Sequence, residues 1–367
     1  MFPGADACSR AEVMNMFNAE QYSPTTVNTY PLYSNIAYVL LGYALEKAYG
    51  KSYEEVMQDL IFTPLNLKNT SFAVPTDKAT TLLPKDGDVW FLPDYKHYNP
   101  TGGIWTTPDE MMTVLRAISN HSLLSAAQTR KWMQPTSVLP TVQQLVGAPW
   151  EIYRPTISTL QYPRPIDIYT KSGGVKGYTG WGILVPEYDI TVTINVAGNS
   201  ENEAVESLML LIMEPLIEFA DQQARQGAKE KYAGTYTLPE SNNTFTLTVD
   251  NGPGLAITNF TIGGMPILSG FAKLKNFPLA ELSARLYPTD PDSLGTGKEI
   301  WTIGLDKITT PKLFADFACK NWMLGDPFRY MKERLDTVVF EIEGEKVKSV
   351  DLKAWKTVLN KRKPFKF

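Results

Sequence analysis

Two short runs carry the residue types of a proton-transfer site. Tyr33-Ser34-Asn35 opens an apolar helix, and Lys171-Ser172-Gly173-Gly174 is followed by two strand-like runs. They offer a phenol, a carboxamide, an ammonium group, a hydroxyl and two glycines. An unperturbed tyrosine, with a pKa of about 10, is a poor base at neutral pH. Acid–base work therefore requires a cation in close contact with the phenol. Each residue also has a purely structural reading. Tyr33 and Asn35 could cap the helix, Lys171 could be an ordinary strand-end lysine, and Gly173 and Gly174 could be turn residues.

Other candidates are weaker. His97 sits among Tyr95, Lys96 and Tyr98 in a long loop expected to lie over a pocket, where it could touch substrate. His97 and His121 are far apart with no acidic or cysteine ligands at metal-binding spacing, so no metal site is expected. Gly295-Thr296-Gly297-Lys298 is too short for a phosphate-cradling loop and follows no strand. Trp105 and Trp181 read as packing residues, with pocket lining as the alternative. No cofactor is implied.

The chain has 367 residues, 43% apolar and 20% charged, with a formal net charge of −4. That length favours two domains. The mild charge without like-charge blocks argues against nucleic acid or an anionic membrane as partner. No apolar run reaches the roughly 18 residues of a membrane span, and the first residues lack the features of a signal peptide. Cys8 and Cys319 are too few for a disulfide framework and read as reduced thiols, with a single bridge as the alternative. Acceptor patterns for glycosylation at Asn69, Asn120, Asn242 and Asn259 would be idle in a chain without an export signal, and cytoplasmic residence is the expectation.

The periodicity changes twice along the chain. Residues 34–49 are apolar on nearly every face and predict a buried helix stopped by Gly50. Ser52 with Glu55, Thr107-Pro108-Asp109-Glu110, and Ser125 with Gln128 are helix starts. An all-helical half is thus expected over 34–135. From about 165, paired strands are expected around Pro186-Glu187-Tyr188-Asp189, then a helix to about 222 that Pro215 interrupts or kinks. The polar run Gln222–Lys231 reads as a flexible linker, giving domains 1–225 and 232–367. The second domain reads as antiparallel β, a small barrel or sandwich, with a hairpin at Glu343-Gly344-Glu345.

Five blocks in order, YSNIAYVLLGYALEKAYGKS, TPLNLKNTSF, NPTGGIWTTPDEM, GAPWEI and YTKSGGVKGYTGWGILVPEYDITVTINVAG, give the chain a resemblance to serine β-lactamases and penicillin-binding proteins. It is similar above all to the class C and esterase branch, and to fungal β-lactamase-like proteins with an added β domain. The resemblance implies an α+β fold: an α/β sandwich with an antiparallel sheet and an all-helical half, abbreviated at its N-terminus, followed by a small, mostly β C-terminal domain. It implies Tyr33 as base and acid, Lys171 as the nearby cation, Asn35 and Ser172 as substrate contacts, and Gly174 as an oxyanion donor beside Gly173.

The family's nucleophile lies in a Ser-x-x-Lys block upstream of the tyrosine, and no Ser in this chain has a Lys three positions on. Thr309 with Lys312 and Ser269 with Lys273 fall in the second domain and are no substitute. The favoured expectation is non-covalent chemistry by Tyr33 and Lys171, such as isomerisation or cyclisation, on a small hydrophobic molecule, in the manner of secondary metabolism. One alternative is a serine hydrolase (esterase, amidase or β-lactamase-like) whose nucleophile lies on a segment absent from this chain or on a partner. Another is a non-catalytic binding or scaffold protein. A homodimer, or a shifted N-terminal segment, is expected to cover apolar surface on the helix 34–49 and beside strands 181–196.

Overall fold

The computed structural model of the protein describes residues 8–19, 26, 29–77, 79–82, 95–175, 177–198, 201–276, 278–307 and 328–362. Thr309, Lys312 and Cys319 lie outside these residues, while Cys8 is an exposed free thiol. The chain forms two compact units, Met1–Ile157 with Arg164–Ile217, and Ser158–Pro163 with Glu218–Phe367.

In the first unit the helices begin where hydroxyl side chains can take the free N–H groups of a first turn. Ser9 with Glu12 caps α1 (Arg10–Asn18), and Ser34 caps α2 (Asn35–Tyr49) by accepting from the Ala37 N–H. Gly50, at φ +67°, ends α2 in the left-handed conformation that glycine tolerates. Ser52 with Glu55 starts α3 (Tyr53–Met57), Thr107 starts α4 (Pro108–Ser119) and Ser125 with Gln128 starts α5 (Ala126–Trp132). Glu110, in the first turn of α4, also staples the preceding segment: it accepts from the N–H groups of Lys68 and Asn69, both at 2.8 Å, and from Thr70 Oγ1 at 2.5 Å. Two of the five sequence blocks are joined by that one carboxylate.

The sheet of this unit starts earlier than the periodicity suggests. Three short strands, β1 (Ser137–Val138), β2 (Gln144–Val146) and β3 (Glu151–Tyr153), precede a separate ribbon of β4 (Thr156–Ile157) and β5 (Arg164–Pro165). Then come β6 (Ile168–Val175), β7 (Tyr178–Val185) and β8 (Ile190–Ala197), giving an antiparallel sheet in the order β1-β2-β3-β6-β7-β8. The turn at Pro186–Tyr188 joins β7 to β8, as expected. Leu115 of α4 packs with Leu145, Trp150, Ile152 and Leu184 of the sheet.

Two expectations need correction. Helix α2 is not buried all round: only Val39 and Gly42 are fully buried, and Leu41 and Tyr49 are 57% and 53% exposed. The described residues cover one side of it. The run Gln222–Lys231 is not a linker either, because it forms the last turns of α6 (Glu201–Lys231), within which the two units divide. Arg225 holds Asp221 one turn back at 2.8 Å and the carbonyls of Asp250 and Gly252 at 3.1 Å each. These contacts fix a stretch whose composition alone reads as flexible.

The second unit is a closed barrel. Its strands are β9 (Gly234–Leu238), β10 (Asn243–Thr248), β11 (Leu255–Ile262), the short β12 (Met265–Pro266), β13 (Leu282–Pro288), β14 (Lys298–Lys307), β17 (Thr337–Glu343), β18 (Lys346–Leu352) and β19 (Thr357–Lys361). A small ribbon of β15 (Arg329–Tyr330) and β16 (Glu333–Arg334) stands apart. The order β10-β9-β19-β18-β17-β14-β13-β11 closes on itself because β10 also pairs with β11. Closure leaves no unpaired edge in the ring. Alternate residues fill the interior, among them Tyr236, Phe245, Phe260, Leu286, Phe340 and Leu359, with Ile267 and Phe271 of α7 (Ile267–Leu274) in the same cluster. The hairpin at Glu343-Gly344-Glu345 joins β17 to β18. No helix among the described residues is long and apolar enough to cross a membrane.

Among the described residues of this unit one charge is fully buried, the carboxylate of Glu299. It accepts from Lys231 Nζ at 2.7 Å, Tyr232 Oη at 2.6 Å and the Gly295 N–H at 3.0 Å. Burial pushes its carboxyl up, but those three donors together outweigh burial and hold it below the usual range. Its contribution is therefore present above the ordinary carboxylate pKa and lost as pH falls through the depressed one. Glu299→Ala is expected to destabilise the barrel unit by about 3–5 kcal/mol in denaturant melts. Glu299→Gln should flatten the loss of stability on the acid side, and an acid limb identical to wild type would contradict this assignment.

Candidate active site

The site is built where a helix start meets a strand. Tyr33 and Asn35 flank Ser34, the residue that caps α2, so neither of them is needed as a cap. Tyr33 is 71% exposed, and its hydroxyl donates to Asn35 Oδ1 at 2.8 Å. Lys171 is the fourth residue of β6, and its Nζ stands over the Tyr33 ring, 5.5 Å from the centroid. The structure thus brings together the phenol and the ammonium group that the sequence separates. The cation meets the face of the ring, and the hydroxyl turns to the amide of Asn35. At that distance the ring quadrupole attracts the ammonium.

Lys171 is held by a residue that sequence reasoning missed. Glu151, the first residue of β3, accepts from Lys171 Nζ at 2.7 Å and from Ser172 Oγ at 3.0 Å through Oε1. Its Oε2 accepts from the Ser172 N–H at 3.0 Å. The Lys171 ammonium also donates to the Ser172 carbonyl at 2.5 Å. The neighbours of Glu151 are core residues, Trp150 and Ile152 being 3% and 1% exposed, so the strand that carries it is fixed on both sides. The available signal was the block GAPWEI itself, with an acidic residue between two strongly apolar ones.

The edge of β6 changes character at this point. β3 pairs with β6 only from Tyr153↔Ile168 to Glu151↔Thr170. Beyond Thr170 no described strand pairs on that side, and the Glu151 side chain takes the Ser172 N–H instead. Amide directions alternate along a strand, so the Gly174 N–H lies on the same open edge as that of Ser172. Gly173 and Gly174 are both exposed there, and a Cβ on Gly173 would meet nothing within 4 Å. They belong to a strand and not to the turn that composition alone suggests.

Trp181 pairs with Ser172 across β6 and β7, and its ring stacks on Tyr153 at 6.0 Å. Burial, then the charges of Glu151 and Glu206, push the Tyr153 phenol up, so that ring remains a neutral wall. His97 is placed elsewhere. It lines a cavity of about 250 Å³ with Arg10, Tyr43, Glu46, Tyr53 and Pro100, a lining that includes neither Tyr33 nor Lys171. Its Nε2 and the Tyr43 hydroxyl are buried without hydrogen-bond partners among the described residues. No group of three or more metal-ligating side chains occurs among those residues.

Comparison with known proteins agrees with this architecture. The family described as β-lactamase matches residues 2–214, and the β-lactamase-like C-terminal domain matches residues 224–363. The chain belongs to the β-lactamase family and carries that C-terminal domain. It is 28% identical to a β-lactamase-like protein of Arthroderma benhamiae, over 86% of this chain and 58% of the relative. It is 29% identical to a protein of Cochliobolus lunatus named probable hydrolase clz13, over 96% of this chain and 59% of the relative. The chain therefore spans somewhat under three fifths of the length of these relatives. Among solved structures, an octameric penicillin-binding protein homologue from Pyrococcus abyssi is similar at 19% identity and a TM-score of 0.42, covering 96% of this chain and 74% of that one.

The capping assignment separates a structural role for Tyr33 and Asn35 from a chemical one. Ser34→Ala is expected to cost about 1 kcal/mol in chemical denaturation, the usual worth of an N-cap. Tyr33→Ala and Asn35→Ala should each stay within about 0.5 kcal/mol of wild type, as exposed substitutions do. A loss at Tyr33 or Asn35 as large as that at Ser34 would return both residues to the helix start.

Proposed function

We propose that this chain carries the acid–base and oxyanion side of an acyl-transfer site, and that the whole protein hydrolyses an ester or amide bond in a small molecule. The observation that carries this is the Lys171 ammonium 5.5 Å from the centre of the Tyr33 ring, beside an open strand edge that bears the Gly174 N–H. In this chemistry the phenolate of Tyr33 takes the proton of a serine hydroxyl as the serine oxygen bonds to the substrate carbonyl carbon. The negative charge moves to the carbonyl oxygen, where the Gly174 N–H stabilises it. The carbonyl re-forms, the bond to the leaving group breaks, and Tyr33 returns the proton to the departing atom. Water then repeats the sequence on the acyl-serine.

No Ser here has a Lys three positions on, so this reading requires an attacking serine supplied from outside these 367 residues or by a partner. The relative from Cochliobolus lunatus and one from a Phoma species are both named as probable hydrolases, which supports this chemistry over the others. A second reading keeps the same pair without a nucleophile: Tyr33 and Lys171 move protons on a hydrophobic molecule in an isomerisation or cyclisation. The stacked Trp181 and Tyr153 rings beside the site favour an apolar substrate for either reaction.

The native full-length protein, tested with a fluorophosphonate probe and p-nitrophenyl esters, separates the two. Hydrolysis predicts one labelled serine, with kcat lowered by about 10²–10⁴-fold in Tyr33→Phe and Lys171→Met at unchanged folding. No label, with both variants still impairing turnover of a non-ester substrate, would install the second reading. Unlabelled protein whose ligand binding and turnover ignore both substitutions would leave a binding protein on an enzyme fold.

A further inference from the structure

We infer that Glu151 is the positioning residue of this site, setting the Lys171 ammonium and the strand edge at Ser172 with one carboxylate. The inference rests on the acid–base reading of Tyr33 and Lys171 and extends it to a residue that acts through Lys171 and Ser172.

An unrestrained lysine does not hold its charge in one place. Its ammonium sits on a flexible four-carbon stem, so a lone Lys171 would sample many positions relative to Tyr33. Here Nζ is fastened twice, to Glu151 Oε1 at 2.7 Å and to the Ser172 carbonyl at 2.5 Å. An ammonium group has three N–H donors. Two are used among the described residues, which leaves one for the phenol or for a substrate oxygen. The side chains of Lys171 and Glu151 are 31% and 33% exposed, a setting in which an ion pair adds little to folding stability. The geometry of the pair is therefore a better account of it than its contribution to the fold.

Glu151 also acts on the backbone. Its Oε2 takes the Ser172 N–H at 3.0 Å at the point where β3 stops pairing with β6. The carboxylate thereby continues the ladder by one rung beyond the last strand pair. The next amide on that edge is that of Gly174. Cation and oxyanion donor are thus referred to one anchor, which is itself fixed between the buried Trp150 and Ile152.

The test compares Glu151→Ala, Glu151→Gln and Glu151→Asp in the native full-length protein, reading kcat and KM on a p-nitrophenyl ester alongside Tm. Glutamine keeps one of the two acceptor oxygens, whereas alanine keeps none. The expected result is a fall in kcat of about 10–100-fold in Glu151→Ala with KM within about threefold, Tm unchanged, and only partial recovery of kcat in Glu151→Gln, which can hold Lys171 or the Ser172 N–H but not both. Aspartate, one methylene shorter, should fall between them. Alanine activity within twofold of wild type would overturn the inference, and so would a loss that follows Tm across all three variants or that glutamine fails to relieve. Tyr33→Phe and Lys171→Met run in the same assay keep the two claims apart. If they abolish activity while Glu151→Ala does not, only the positioning role fails; if they leave activity intact, the acid–base reading itself fails.

Discussion

The carboxylate of Glu151 is the constraint on which the geometry of this site turns. A phenol at a helix start and an amine on a strand, far apart in the chain, are useful to each other only if the longer side chain is held. Glu151 does this by accepting the Lys171 ammonium at 2.7 Å while its other oxygen takes the Ser172 N–H. Remove it, and nothing else among the described residues fastens both the cation and the edge of β6. The sheet supplies the rigidity behind this arrangement, since β3 is locked by Trp150 and Ile152 into the cluster that includes Leu115 and Leu184.

The two units are held together internally by different means. The first depends on polar staples between loops and helix starts, such as Glu110 against Lys68, Asn69 and Thr70. The second is a closed barrel filled with aromatic and aliphatic side chains, where Tyr232, Trp301 and Phe340 pack edge to face or tilted at 4.9–5.5 Å. The one fully buried carboxylate among its described residues, Glu299, sits against the end of α6 through Lys231 and Tyr232. The barrel's compactness follows from strand closure, whereas the site's geometry follows from a few charged hydrogen bonds.

Much of the fold is legible in residue patterns because capping and alternation are local. Ser52 with Glu55, Thr107 and Ser125 with Gln128 start helices where their chemistry says they should. The β character after residue 232 is visible in alternation such as that of Asn243–Thr248, where Phe245 and Leu247 alternate with threonines. What composition could not show was set by long-range contacts. Gln222–Lys231 looks like a linker until Arg225 meets the carbonyls of Asp250 and Gly252. The short strands between Ser137 and Tyr153 have no period of their own and exist because β6 offers an edge. At the candidate site, Tyr33 and Lys171 stand in recognisable motifs, while the contact of Glu151 with Lys171 joins residues 20 apart and has no local signature. His97 shows the converse: a polar residue in a loop near the right motifs, placed in a separate cavity.

The central claim is that the Lys171 ammonium stands over the face of the Tyr33 ring. Proton NMR with selectively labelled lysine and tyrosine measures it directly, through the nuclear Overhauser contact between the Lys171 side-chain methylene next to Nζ and the Tyr33 ring protons. The account predicts that contact, together with an upfield ring-current shift of the methylene that disappears in Tyr33→Ala. A methylene at the position of a free lysine, with no contact to the tyrosine ring, would contradict it.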